Sequence, residues 1–507
     1  MKKRLILSAA LSAASLAAFA GGFVTNTNQS TAFLRNPAQN AVIGVQGAYF
    51  NPAGIGFMDN GFHLAIDIQS AIQRRYTTTT YAPLGYGIEN GGNASRKYTG
   101  KTFAPVLPHL DLAFIHDNFF TSFHFGVVSG GGKAKYDQGL AAFEAPVAVI
   151  PALVNSLTGA QTVTGYNADI ALTGEQYNFA GQFNLGYKIS KNWTVSAGVR
   201  LNYVTNSYDG SLSDIQLGYG GKMLPAANVL GAAISQLSGG KIPAETATSM
   251  AAGLVGDKRL DVSQKDIAFT PIISVNYKTG KFNFSGRYEF NTSVRLKNDT
   301  KDNSTGIAQF DDNKIIAADI PGSLNLGAEY AVLRNLRIAA GFNYYFDKQS
   351  KQYNSETDRN NKQDYLKHNS FEFLGGIEYD VCEVVTLSLG ANTSTFGFGD
   401  EARFISDMSF TTSSVSTGLG ARFHVTPKIA LDLGLYKTFF THFNKEHSDY
   451  GGNGAALANK LKPLLGQLAA VNPDLAGKVD LSKLSIPGKD EFYRKSFVAG
   501  VGLTVAF

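Results

Sequence analysis

Apolar and polar residues alternate in short segments along most of this 507-residue chain. In the segment FHLAIDIQ, which starts at Phe62, every second residue is apolar and the residues between them include histidine and aspartate. A period of two places successive side chains on opposite faces of a β-strand. About fourteen such strands are predicted, and they begin near Phe62, Pro105, Phe119, Gln176, Trp193, Ile267, Phe282, Ser323, Leu336, Ser370, Val384, Ser414, Ile429 and Phe497.

The connections between the predicted strands alternate in length. Asp117-Asn118 and Cys382-Glu383 are short turns, whereas residues 137–175 and 209–265 are long excursions. This alternation is typical of an all-β, antiparallel up-and-down barrel in an outer membrane, and an even strand number leaves no edge unpaired in lipid. A β-sandwich or jelly roll would show the same period, but the second face of these strands is too charged to fill a dry core.

Both ends of the chain indicate export. The basic start MKKR precedes an apolar run that ends in AFA at residues 18–20, so residues 1–20 are predicted to be a secretory signal peptide. The last strand ends in Phe507, which resembles the terminal signal read by the bacterial outer-membrane assembly machinery. We therefore expect a multi-pass barrel, residues 62–507, in the outer membrane of a Gram-negative bacterium.

Composition argues against several other classes of protein. Cys382 is the only cysteine, so an intrachain disulfide is impossible. The 45 basic and 40 acidic residues nearly balance, which gives no reason to expect a nucleic-acid partner. The spacing of histidines and acidic residues fits no metal site, and no nucleophile-base motif is recognisable. The sequence therefore predicts a protein that is not an enzyme and that carries no cofactor.

Residues 21–61 precede the first strand and lack sustained alternation. We expect them to fold inside the barrel as a hatch, because the aromatic side chains of AYFNPAGIGF would be poorly placed in water. In this stretch a proline fixes a turn and glycines allow close backbone approach. The predicted hatch motif is Asn51, Pro52, Ala53 and Gly54. A second Asn-Pro-Ala, at residues 36–38, is either a chance match or a duplicate turn.

An N-terminal segment with Asn-Pro-Ala shortly before strand one, about fourteen strands and a terminal phenylalanine together resemble the FadL family of outer-membrane transporters. That family takes up long-chain fatty acids, and relatives take up aromatic hydrocarbons. The resemblance covers the mature chain in architecture, and at residue level it rests on residues 51–53 and the strand count. It implies that the hatch closes the barrel and that a kink in the third strand lets an apolar substrate leave sideways into the membrane.

In this chain the third strand is interrupted by three glycines, which permit a bulge or bend. The residues of the predicted kink and lateral opening are Gly130, Gly131 and Gly132. The alternative is that the strand ends at Ser129 and the glycines begin a loop. Neighbouring apolar residues would line the exit route or face lipid, and these are Phe123, Phe125, Val127 and Val128.

Three long loops contain apolar stretches with helical spacing, at residues 140–157, 223–237 and 455–470. They would capture a hydrophobic substrate at the cell surface, cap the barrel by packing on one another, or do both. The candidate capture residues are Leu153, Leu157, Leu461, Leu464, Leu465 and Leu468. The polar strand faces should place charged residues in the lumen, and the candidate partners of a substrate carboxylate there are Arg200, Arg287 and Arg295.

Together these features predict a monomeric barrel, surrounded by outer-membrane lipid, for passive uptake of hydrophobic small molecules, with long-chain fatty acids as the first choice. Three alternatives stay open. The first is a diffusion porin for small polar solutes, in which the N-terminal segment leaves the lumen free. The second is an outer-membrane lipase or protease, for which the sequence offers no clear histidine with a serine or aspartate partner. The third is an adhesin-type surface barrel.

Overall fold

The computed structural model describes residues 28–353, 366–398, 407, 410, 412–471 and 485–507. The predicted signal peptide and the first residues of the predicted hatch lie outside these ranges. Within them, one antiparallel sheet contains nineteen strands, namely β1 (Gly61–Tyr81), β2 (Ser95–His116), β3 (Phe119–Tyr136), β4 (Val163–Lys188), β5 (Trp193–Tyr219), β6 (Lys222–Pro225), β7 (Lys258–Thr279), β8 (Phe282–Glu289), β9 (Arg295–Asn303), β10 (Ile315–Ala318), β11 (Ser323–Leu333), β12 (Leu336–Tyr345), β13 (Gln352–Tyr353), β14 (Ser370–Asp380), β15 (Val385–Thr395), β16 (Ser414–Thr426), β17 (Ile429–Phe440), β18 (Phe443–His447) and β19 (Gly488–Ala506).

The sheet closes on itself because β1 pairs with β2 on one side and with β19 on the other. Fourteen of the described strands form the wall of the barrel, and the short strands β6, β9, β10, β13 and β18 extend it on the long-loop side. A closed antiparallel sheet has no free edge strand, which is the requirement for crossing lipid with strands. The predicted fold class is confirmed.

Ten of the predicted strands begin where the structure has them, to within one residue. The other four begin well before the predicted position, at Ser95, Val163, Lys258 and Gly488. All four strands begin on the long-loop side and run toward the short-turn end, and their first residues lie above the apolar belt. There the alternation fades, because neither face is in contact with lipid.

The outer surface of the barrel is apolar. On β1 the outward side chains of Phe62, Ile66, Ile68 and Ile72 are exposed, while the intervening Asp67 is buried inside. Aromatic pairs ring the short-turn end, including Phe62–Phe507, Phe119–Tyr187 and Trp193–Tyr277. An apolar band bordered by an aromatic girdle is characteristic of transmembrane barrels of the outer-membrane type.

Six α-helices lie among the described residues: α1 (Thr31–Arg35), α2 (Gly47–Phe50), α3 (Ala141–Thr158), α4 (Ala226–Leu237), α5 (Ala244–Val255) and α6 (Asn453–Val471). The first two precede the barrel wall, and the other four belong to the long loops. Helices α3, α4 and α6 occupy the three stretches predicted to be helical. No described helix is long and apolar enough to cross a membrane.

Candidate transport path

The N-terminal segment, defined here as residues 28–60, lies inside the barrel. Thr31 N–H donates to Asp67 Oδ1 on β1 at 2.7 Å, and Asn51 Nδ2 donates to Asn276 Oδ1 on β7 at 2.8 Å. Gln182 on β4 donates to the carbonyl of Ala48 at 2.9 Å. Because the wall is closed, a segment that bonds to inward side chains on several sides of it occupies the lumen.

A row of glycines makes room for the first half of this segment. A Cβ on Gly434 would lie 2.8 Å from Leu34 Cβ, and one on Gly390 would lie 2.6 Å from Pro37 Cδ. Contacts this close are not found between real side chains, so any larger residue would push the segment away. The glycine row consists of Gly327, Gly341, Gly376, Gly390, Gly418, Gly420, Gly434 and Gly500, and all of them face residues 31–41.

Arg35, at the end of α1, holds the same half of the segment by charge. Its guanidinium lies 2.7 Å from Glu378 and 2.9 Å from Asp432, and the arginine side chain is 4% exposed. A buried charge needs a partner of opposite sign, since desolvation costs several kcal/mol per unpaired ion. Arg35 therefore links α1 to β14 and β17 in one buried network.

The predicted hatch motif forms a compact turn. Residues Pro52–Phe57 are a 3-10 helix, and Asn51 Oδ1 accepts from the Gly54 N–H at 3.2 Å. The Ala53 carbonyl accepts from Thr194 Oγ1 at 2.7 Å, and its N–H donates to Ser274 Oγ at 3.3 Å. The motif is thus bonded to β5 and β7. Its role as a gate stays a prediction.

The second Asn-Pro-Ala makes a similar turn. Asn36 Oδ1 accepts from the Ala38 N–H at 3.0 Å, two residues on. Asn36 and Asn51 both have φ near −145°, at −148° and −144°, and both follow a short helix. The geometry favours the duplicate turn over a chance match.

The glycines of β3 coincide with an interruption of the wall. Gly130 and Gly132 have positive φ, at 128° and 67°, and the register with β4 shifts twice between Val127 and Gly132. On the other side, β2 pairs with β3 at residues 101–102 and again from Leu110, with no ladder between. Strand β3 nevertheless continues to Tyr136, so the alternative in which it ends at Ser129 is wrong.

We call this interruption the β2–β3 break, comprising residues 103–109 of β2 and 126–133 of β3. The β2 side contains Pro105 and Pro108, and proline cannot donate a ladder hydrogen bond. The β3 side contains the three glycines, which allow the strand to bend away. The two prolines are the signal that sequence reasoning missed, because it considered the third strand alone.

A residue of the N-terminal segment reaches the β2–β3 break. Gln29 Nε2 donates to the Val127 carbonyl at 2.9 Å, and its Oε1 lies 3.3 Å from His124 Nε2. His124 Nδ1 bonds Asp111 Oδ1 at 2.8 Å, and its ring stacks on that of His109 with centroids 6.3 Å apart. A side chain thus takes the place of part of the missing ladder.

The four predicted route residues point in different directions. Phe125 is 41% exposed on the lipid side, and Phe123 and Val127 are half-buried on the same face. Val128 is 3% exposed and packs inward in a cluster with Phe33 and other residues of the N-terminal segment. An apolar surface therefore exists on both sides of the wall next to the break.

The three predicted carboxylate-binding arginines each have a carboxylate of the protein itself. Arg200 lies 2.8 Å and Arg287 3.2 Å from Glu289, and the two guanidinium groups lie over the Tyr49 ring at 4.6 and 5.2 Å. Arg295 lies 2.5 Å from Asp319. Arg295 is neutralised by Asp319, whereas Arg200 and Arg287 share the single carboxylate of Glu289 and together keep a net positive charge.

Above the membrane, the loop helices share one apolar cluster. Leu468 of α6 is fully buried in it and Leu153 of α3 packs against it. Leu157, Leu461, Leu464 and Leu465 belong to the same helices, but their side chains lie outside the described residues.

Helix α3 is also anchored to the barrel through the carboxylate of Glu144. This group accepts from Arg96, Tyr98 and Tyr166, each at 2.7 Å. Burial, reinforced by the Glu144 charge, raises the pKa of Tyr98 and of Tyr166 above its ordinary value, so both hydroxyls stay protonated as donors. Both tyrosines stand above the apolar belt.

A cavity of about 1030 Å³ lies at the short-turn end, beneath the N-terminal segment. Residues 42–46 form its roof, and charged side chains such as Lys281, Glu329 and Arg337 line its walls. A cavity with this lining favours water and polar solutes over hydrocarbon.

Comparisons with known proteins agree with this architecture. No family model matches the chain, and no curated protein matches it. A Pseudomonas aeruginosa FadL homologue superposes with a TM-score of 0.62 and 14% identity over 96% of this chain and 100% of its own. The toluene transporter TodX of P. putida superposes with a TM-score of 0.53 and 12% identity over 92% of this chain and 95% of its own. The toluene transporter TbuX of Ralstonia pickettii superposes with a TM-score of 0.50 and 11% identity over 95% of this chain and 99% of its own. The chain has a FadL-like barrel fold.

Proposed function

We propose that this protein is an outer-membrane channel for passive uptake of hydrophobic small molecules, with long-chain fatty acids as the substrate class. The observation that carries the proposal is the β2–β3 break, where the wall lacks a ladder beside apolar residues. In lipid, an unpaired strand edge costs several kcal/mol for each unsatisfied group. Because the break is costly, we expect it to have a function. Passage of an apolar molecule fits the apolar residues beside it.

The route we propose starts at the loop helices α3, α4 and α6, whose apolar cluster would take the substrate from outside. The substrate then reaches the lumen above the N-terminal segment and leaves sideways through the β2–β3 break into the membrane. The straight route would instead lead into the charged cavity at the short-turn end. Moving a hydrocarbon chain there costs about 0.8 kcal/mol for each CH₂ group exposed to water. Sideways exit avoids this cost.

The N-terminal segment would act as the hatch. The glycine row and Arg35 fix residues 31–41, so we propose that movement is confined to Gln29 and to the turn at residues 51–54. Replacing Asn51 and Pro52 with alanine should change uptake or leakage without preventing assembly. Unchanged uptake and permeability in a well-folded double variant would show that the turn at residues 51–54 is not part of the gate.

Export and assembly complete the proposal. We propose that the signal peptide is cleaved after Ala20 and that the barrel works as a monomer. Phe507, which is 64% exposed at the end of β19, would be read by the assembly machinery. Deleting Phe507 should lower the amount of folded barrel in the outer membrane.

The test of function is uptake of radiolabelled palmitate by cells that lack their own fatty-acid transporter, with and without this protein. Expression should raise uptake severalfold, and conductance across a planar bilayer should show no steady open channel. Steady conductance without palmitate uptake would favour the diffusion porin. Uptake of toluene without uptake of palmitate would support the proposed channel but would change its substrate class from fatty acids to aromatic hydrocarbons.

A further inference from the structure

Two arginines beside the β2–β3 break, the buried Arg75 and the half-buried Arg494, differ from Arg35, Arg200 and Arg287 in their surroundings. Arg75 on β1 and Arg494 on β19 are direct cross-strand partners and point to the inside of the barrel. Arg35, Arg200 and Arg287 each lie within 3.2 Å of a carboxylate. Among the described residues, neither Arg75 nor Arg494 has a carboxylate within ion-pair distance.

The hydrogen bonds of this pair are incomplete. Arg494 donates to Gln73 Oε1 at 2.6 Å, and Arg75 interacts with the hydroxyl of Tyr136. The Nε atom of each arginine is buried and has no hydrogen-bond partner among the described residues, although the Arg494 guanidinium lies over the Phe440 ring at 4.8 Å. Two like charges directly opposite each other also repel. This arrangement of two like charges is unfavourable in the protein without a ligand.

The position of the pair connects it with the proposed route. A Cβ on Gly131 would lie 3.0 Å from Arg75 Nη2, so the guanidinium reaches the centre of the β2–β3 break. On the outside of the break, Phe103 and Val106 are 61% and 59% exposed. A cationic group inside and apolar side chains outside match a molecule with an acidic head and an apolar tail.

We infer that Arg75 and Arg494 together bind the carboxylate of an amphipathic acid whose tail enters the β2–β3 break. The inference rests on the proposed function and names the chemistry of its substrate. The guanidinium fork matches a carboxylate in bidentate geometry, and charge-assisted hydrogen bonds of this kind are roughly twice as strong as neutral ones. The anion would accept from the two Nε donors and would supply the carboxylate that the pair lacks among the described residues.

The chain offers a matched control. Arg74 and Lys495 are the adjacent cross-strand pair and are exposed on the outer face. Replacing both with glutamine removes the same two charges from the same two strands. Only the direction of the side chains differs.

The experiment measures binding of radiolabelled palmitate and of methyl palmitate to the purified full-length protein in non-ionic detergent. The variants are Arg75→Gln, Arg494→Gln, both together, and the double control Arg74→Gln with Lys495→Gln. We expect the inner double variant to bind palmitate about tenfold or more weakly, given the strength of hydrogen bonds to charged groups. Binding of the uncharged ester should be unchanged, and the control should match the wild type for both.

Thermal unfolding separates binding from a structural role. Without ligand, the inner double variant should unfold at a temperature equal to or above that of the wild type, because a repulsion has been removed. Palmitate should raise the wild-type midpoint but not that of the variant. A variant that loses stability and binds both ligands less would overturn the inference, as would unchanged palmitate binding or displacement of palmitate by inorganic phosphate alone. If wild-type cells take up neither acid nor ester, the proposed function fails instead.

Discussion

The N-terminal segment meets two very different stretches of the same barrel wall. From β11 to β19 the ladder is continuous apart from shifts next to the short turns, and the glycine row lets residues 31–41 approach closely. Between β2 and β3, Gly130 and Gly132 have positive φ, the unpaired segment of β2 contains two prolines, and Gln29 supplies part of the missing bonding. Glycine therefore has a different role on each side of the barrel. On one side it holds the N-terminal segment in a static contact, and on the other it belongs to a candidate passage through the wall.

The largest effect should follow from removing the charge that anchors the static side. Arg35→Met leaves Glu378 and Asp432 with only the more distant Arg337 and Arg422, at 3.6 and 3.8 Å, so the loss should reach at most the cost of about 3–5 kcal/mol for a broken buried pair. The thermal unfolding midpoint in detergent should fall strongly. Arg334→Met, at an exposed site, is the control, and an equal midpoint for both variants would show that Arg35 is not the anchor.

A somewhat smaller effect is expected from filling the glycine row. In Gly434→Val, the new side chain meets Leu34 at less than normal contact distance, so residues 31–41 must move. We expect leakage of large hydrophilic antibiotics into cells that express the variant. Gly375→Val places the same side chain in open space on β14 and should leave permeability as it was. Equal permeability in the two strains would mean that the row does not hold the segment.

The smallest effect concerns the passage side. Gln29→Ala removes one hydrogen bond to a strand carbonyl, a loss of about 1–3 kcal/mol if the carbonyl stays buried. Amide hydrogen exchange should therefore speed up at residues 126–133, with the barrel otherwise protected. Gln46→Ala, which removes only a 3.4 Å contact to Thr504, should leave these amides unchanged. Equal exchange rates for Gln29→Ala and wild type would argue that Gln29 does not close the break.

The sequence predicted the fold far better than the site, for a physical reason. A period of two specifies which residues share a face, so Phe62 and Ile66 were correctly placed toward lipid and Asp67 toward the lumen. The period does not tell which residues come close to one another inside the barrel. Arg35 and Asp432 are 397 residues apart in the chain, and they pair only because the sheet closes and the N-terminal segment folds inside it.

The β2–β3 break is a second feature that the period of two could not predict. The three glycines of β3 were visible in the sequence, but an opening depends on the strand beside it. Only the fold shows that Pro105 and Pro108 lie in the segment of β2 that is unpaired with β3 beside those glycines. Likewise, Arg75 and Arg494 lie in ordinary alternating strands, and nothing in either strand alone shows that they face one another without a carboxylate.

The central claim is that hydrophobic molecules leave through the β2–β3 break, and uptake by Gly131→Val tests it most directly. Gly131 has no positive φ, and the space around its Cβ position is limited by the Arg75 side chain, so valine should fill the break while the barrel still folds. Uptake of both palmitate and methyl palmitate should fall severalfold in this variant and stay at the wild-type level in Gly375→Val. A folded Gly131→Val protein at the surface that takes up both compounds at the wild-type rate would contradict the account.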